Sequence, residues 1–171
     1  FLRSHGFSAT RAVVGVPAKW LIAHEKDVPP TDPQSLRAML RLHAERAGAV
    51  ETGEMVFDYA RDDDSSLRGG GKVLMVGILR RQLDRIEHTM DAAGLTVVAV
   101  TPTSLALSAA LAEDGVDAEA SMLVLGRAGG EIVWRRQGAA RMLRHISVGM
   151  SNGHGDVALA TLSSELRRAS A

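Results

Sequence analysis

The run Lys72-Val-Leu-Met-Val-Gly-Ile-Leu79 is apolar at odd and even positions alike. Successive side chains of a strand point to opposite faces, so a strand here needs cover on both sides. Arg80 to Ala93 follows as a helix, with Leu83, Ile86 and Met90 spaced to form one inward stripe and Gly94 placed to cap its end. Leu95-Thr-Val-Val-Ala-Val100 then reads as a second strand. Pro102 opens the next helix, Thr103 to Ala112. Interleaved strands and helices mean an α/β sheet architecture with α+β character.

The flanks extend this pattern. Arg11-Ala-Val-Val-Gly-Val-Pro17 is a short buried strand ended by proline, and Lys19 to Lys26 reads as another. Pro29, Pro30 and Pro33 break the chain before a helix that Asp32 can cap, with Leu36, Met39, Leu40, His43 and Ala47 at helical spacing. Met55 to Tyr59 is strand-like, and Arg61 to Gly71 is a polar loop. The acidic stretch Glu113 to Glu119 reads as a hinge between lobes. Beyond it lie strands joined at Ala128-Gly-Gly130, a turn at Gln137-Gly138, and a strand from Ala139 to Ile146. A Gly/Ser/Asn-rich loop from Ser147 to Gly155 precedes a closing helix, Val157 to Ala169.

Composition narrows the function. With 20 basic and 20 acidic residues the formal charge is zero, which argues against a nucleic-acid partner. The absence of cysteine excludes disulfides, Cys-based zinc sites and a thiol nucleophile. No apolar run approaches the ~20 residues that span a bilayer. The first residue is Phe1, not Met, and the opening reads as the interior of a longer protein.

The order of these segments resembles the actin-like pilus-assembly family of the PilM type. The residues that carry the resemblance are Val13-Val-Gly-Val-Pro17 with Trp20, His43-Ala-Glu45, Val56-Phe-Asp-Tyr59, and the strand Val73 to Leu79. Ala93-Gly-Leu95, Val98-Ala-Val100 with Pro102, and Leu105-Ala-Leu107 continue it, over roughly residues 1 to 150. The chain departs from the family pattern at His43 and at Gly48-Ala-Val-Glu51, which stands in place of a proline motif. The resemblance implies an actin-like, RNase H-like fold, present here as an inserted small subdomain plus part of the second lobe. Residues 1–118 would hold that subdomain, from about 1 to 80, and the returning part of the first lobe. Residues 119–171 would form a partial second lobe of β-hairpins and a closing helix.

In actin-like ATPases each lobe presents a hairpin turn whose N–H groups face a phosphate, with a carboxylate nearby to position the metal. The second such turn should fall at Val124-Leu-Gly126-Arg127-Ala128-Gly129-Gly130, with Val124 at the carboxylate position. Arg127 could meet a phosphate but cannot hold Mg²⁺. The reading is therefore a plain turn in which glycine accepts a positive φ. If nucleotide binds at all, Gly126, Arg127, Gly129 and Gly130 are the phosphate-side candidates of a degenerate site, with ATP and Mg²⁺ completed only in a fuller chain. No catalytic residue, cofactor or metal is expected.

The remaining motifs have ordinary readings. His5, His24, His43, His88, His145 and His154 form no His-x-x-x-His pair, and Asp62-Asp-Asp64 lacks the glycine and glutamate of a calcium loop. Residues for Ser/His/Asp catalysis are available but stand in no recognisable context. Arg127, Arg135, Arg136, Arg141 and Arg144 cluster in sequence, but strand alternation divides them between faces. What the resemblance implies is a non-catalytic scaffold of a type IV pilus or related secretion apparatus at the cytoplasmic face of the inner membrane. It would bind an extended cytoplasmic peptide of an inner-membrane assembly protein, in the groove between the inserted subdomain and the first lobe, with homo-oligomers left open. The alternatives are an ATP-binding or ATPase member of the actin-like superfamily, and the cytoplasmic actin-like domain of a type II secretion inner-membrane protein.

Overall fold

The computed structural model describes residues 3–46, 54–60, 70–113, 119–127, 129–147 and 155–169. The substituted segment 48–51, the acidic run 62–64, the interior of the 113–119 hinge, most of the loop 147–155, and Ala128 lie outside the described residues.

Strand β1 (Arg11–Val16) pairs in parallel with β5 (Thr96–Pro102). Pro17, which has no N–H to continue the strand, starts a 3-10 turn over Ala18–Trp20, where the sequence suggested that the next strand had begun. Strand β2 (Leu21–Val28) runs antiparallel to β4 (Gly71–Leu79), and β3 (Met55–Ala60) pairs with the other edge of β4. The third sheet is the meander β6 (Ala120–Leu125), β7 (Gly130–Arg136) and β8 (Ala139–Ile146). Strand β1 stands outside the β2–β4–β3 sheet, which starts at Leu21, and pairs with β5.

The apolar run in β4 has a direct explanation. Val73 and Met75 pack with Val28, Leu36 and Leu40 beneath helix α1 (Pro33–Arg46). Leu74, between them in sequence, turns to the opposite face and packs with Ala18, Val133 and Leu143. One face of β4 is thus covered by a helix and the other by the β6–β8 sheet. That is why the strand lacks polar alternation.

Helix α1 starts where the sequence suggested. Asp32 Oδ1 accepts the Gln34 and Ser35 N–H groups at 2.9 and 3.0 Å, and Ser35 Oγ donates to Oδ2 at 2.6 Å. The Ser35 hydroxyl and then its N–H hold the carboxyl below its ordinary value of 3.8. A carboxyl lowered by folding contributes stability above its unfolded pKa, and that contribution disappears as pH falls through the folded value. Asp32→Asn should therefore flatten the acid limb of the melting-temperature profile below about pH 4. An acid limb identical to that of the parent protein would show that the cap does not couple to folding.

Helix α2 (Arg80–Ala92) presents the expected stripe, with Leu83, Ile86 and Met90 half-buried. It ends at Gly94, with the Leu95 N–H returning to the Met90 carbonyl at 2.9 Å. Helix α3 (Thr103–Glu113) begins one residue after Pro102, which closes β5. It buries Ser104 and Ser108 and exposes Leu107 and Leu111, the reverse of ordinary amphipathic order. Helix α4 (Gly155–Ala169) lays Leu162 and Leu166 against Ile132 and Ile146 of the third sheet.

Between β7 and β8, Gln137 and Gly138 have φ of 54° and 84°, the left-handed pair of a type I′ turn. Glycine takes that conformation freely; glutamine does not. Gln137→Asn should stabilise the protein by about 0.5–1 kcal/mol, because asparagine tolerates the left-handed region better. A thermal melt checks this, and a fall in Tm would show that the Gln137 side chain makes a compensating contact.

Candidate functional site

The glycine turn between β6 and β7 can be judged by its geometry. The Gly126 N–H donates to the Gly129 carbonyl at 2.8 Å, so it points into the hairpin, not out toward a ligand. Gly130, in the turn where glycine was expected to accept a positive φ, does not adopt one. Close approach accounts for glycine here: a Cβ on Gly129 would sit 2.7 Å from His145 Cε1 and 3.1 Å from the Ile146 carbonyl. Val124 is half-buried opposite Glu131, Arg127 is exposed, and Gly130 is buried at the start of β7. Among the described residues no group of three or more His, Cys, Asp and Glu side chains could hold a metal.

Glu131, one residue past the turn, is a residue that sequence reasoning missed. Its Oε1 accepts the Ala18 N–H at 2.8 Å, tying β7 to the 3-10 turn that follows β1. Its Oε2 is buried without a partner. No spacing in the sequence signals a contact between residues so far apart.

A second feature is a groove of about 700 Å³ between the two sheets that precede the meander. Every residue from Val56 to Ala60 in β3 lines it, and so does every residue from Val97 to Pro102 in β5. A cavity over one face of a strand touches alternate residues. An unbroken run means instead that the cavity follows the strand edge, where N–H and C=O groups project. Among the described residues β3 pairs only with β4, and β5 only with β1, so neither has a further strand on its other edge.

The floor and walls are mostly apolar, with Val76 and Ile78 from β4, Leu83 from α2, and Leu105 and Ala109 from α3. Three charged residues interrupt this lining: Asp58, Glu87 and Arg135. Asp58 Oδ1 accepts the Tyr59 N–H of its own strand at 2.9 Å. Arg135 is half-buried, and its Nη2 donates to the Gly138 carbonyl, bracing the type I′ turn. The clustered arginines do not form one patch: Arg141 Nη1 donates to the Lys72 carbonyl at 2.5 Å, and Arg136 pairs with Glu119 at 3.3 Å. Among the described residues no helix is long and apolar enough to cross a membrane.

No protein-family model matches the chain, and no curated protein matches it by sequence. Solved structures do match. The PilM-PilN type IV pilus biogenesis complex aligns over 99% of this chain and 60% of its own, with a TM-score of 0.80 and 18% identity. The cytoplasmic domain of EpsL, an inner-membrane component of the type II secretion system of Vibrio cholerae, aligns over 86% of this chain and 54% of its own, with a TM-score of 0.59 and 17% identity. The chain thus spans 60% and 54% of the lengths of the structures it matches. It has the actin-like fold shared by these pilus and secretion proteins, as the resemblance of its segments implied.

Proposed function

We propose that this chain is part of a non-catalytic actin-like scaffold in a type IV pilus or related secretion apparatus. It would act at the cytoplasmic face of the inner membrane by binding an extended cytoplasmic segment of an inner-membrane assembly protein. The observation that carries this reading is the groove with two open strand edges over an apolar floor. Strand edges supply main-chain hydrogen bonds to an extended peptide, and the floor supplies pockets for alternate side chains. A solved relative of this fold is a complex with PilN, which supports a protein partner for the fold.

The test is a titration of the full-length protein with synthetic peptides covering the cytoplasmic segments of the inner-membrane proteins of its own apparatus. Saturable binding by one of them, read by fluorescence anisotropy, is the expected result. If every such segment fails to bind, the groove has another purpose.

The scaffold reading also predicts the response to nucleotide. With the Gly126 N–H turned inward and Val124 at the carboxylate position, the turn offers little to Mg·ATP. Calorimetric titration of the full-length protein with Mg·ATP should give no heat of saturable binding. A saturating isotherm that Arg127→Ala abolishes would instead favour the ATP-binding alternative.

A further inference from the structure

Resting on the groove reading above, we propose that the groove selects its peptide by charge order. The occupant is an extended segment of about five or six mainly apolar residues. It carries a carboxylate at the end near Arg135 and a cation at the end near Glu87. The strand pairing fixes where those ends lie. In β3, Val56 is opposite Ile78 and Ala60 is opposite Leu74. Leu79 runs directly into α2, so the Val56 end lies beside that helix, where Leu83 and Glu87, four residues apart, share the face toward the groove. Leu74 packs in one cluster with Ala60, Ala140 and Leu143, so the Ala60 end lies beside the hairpin that carries Arg135.

The length of the occupant follows from the lining strands. Five to six residues of strand cover about 17–20 Å at ~3.3 Å per residue. Asp58 lies midway and is turned back onto the Tyr59 N–H, which leaves Glu87 and Arg135 as the terminal charges. Arg135 donates one Nη2 hydrogen to Gly138, and a guanidinium has five donors, so others remain for a carboxylate. A like charge brought to either end meets repulsion in a partly apolar setting. Opposite charge order thus works against wrong partners as well as for the right one.

The experiment is a selection from a random ten-residue peptide display library on the immobilised full-length protein, run in parallel on Arg135→Glu and Glu87→Lys. Both variants should melt cooperatively, Glu87→Lys at the parent's temperature and Arg135→Glu somewhat below it for the hydrogen bond to Gly138 that it gives up. Peptides enriched on the parent should carry opposite charges flanking an apolar stretch. Arg135→Glu should enrich peptides with basic residues at both ends, and Glu87→Lys peptides with acidic residues at both ends. Against a parent-selected peptide, each variant should bind about two- to fivefold more weakly, the range expected of partly exposed ion pairs. Peptides that bind the groove but show no charge bias, or a bias unchanged in both variants, overturn the charge rule and leave the groove reading standing. If no peptide is enriched, or if enriched peptides bind undiminished after the groove is filled by Ala109→Trp, the groove reading fails and the charge rule with it.

Discussion

Leu74→Ala should lower stability by about 2–5 kcal/mol, the range for deleting a fully buried leucine side chain in a packed core. For a chain of this size that corresponds to a fall in Tm of roughly 5–15 °C. Leu74 is 1% exposed, and its neighbours come from separate parts of the fold: Ala18 from the 3-10 turn, Val133 from β7 and Leu143 from β8. The cavity would open between two sheets, where neither backbone can collapse without moving the other. Leu36→Ala is the matched control. Leu36 is equally buried, but its cluster is confined to α1 and the β2–β4–β3 sheet. Hydrogen exchange separates the two variants. Leu74→Ala should lose amide protection in β7 and β8 as well as in β4, whereas Leu36→Ala should lose it first in α1. Equal loss of protection in β7 and β8 for both variants would mean that the sheets do not depend on Leu74 for their contact.

This prediction also marks how far the sequence could be read. That β4 is covered on both faces follows from Val73, Leu74 and Met75 being apolar in succession. What covers each face does not, because Leu74 meets Val133 and Leu143 across a sequence separation that periodicity cannot address. The helix starting at Asp32, the α2 stripe and the turn at Gln137-Gly138 were legible because each depends on residues within a few positions of one another. The start of β2 was read too early because Lys19 and Trp20 are compatible with a strand. Pro17 decided otherwise, since its carbonyl accepts the Trp20 N–H at 3.0 Å and closes a turn first. Strands β6 and β7 do form the hairpin expected around Ala128-Gly129-Gly130, though Gly130 does not use the freedom of φ supposed for that turn, and Gly129 answers to the His145 ring beside it. The residues of the groove were the least legible. Asp58, Glu87 and Arg135 lie in three separate segments, and only the fold brings them to one cavity.

Ala109→Trp should weaken binding of the partner segment at least about a hundredfold, or ~3 kcal/mol, while leaving the fold intact. Ala109 is exposed on α3 and lines the groove one helical turn beyond Leu105, so an indole there projects into the space an extended peptide would occupy. The substitution does not enlarge a core side chain, and an exposed helical position tolerates tryptophan at a cost of about 0.5 kcal/mol. Ala110→Trp is the control: Ala110 is also exposed on α3 but does not line the groove. If binding were carried by a general apolar surface of α3, such as exposed Leu107 and Leu111, both tryptophans would have similar effects. If it is carried by the strand edges of β3 and β5, only Ala109→Trp blocks access to them. Anisotropy titrations of the two variants, with melts run alongside, decide between these outcomes. Parent-like affinity in Ala109→Trp would place the partner elsewhere on the molecule.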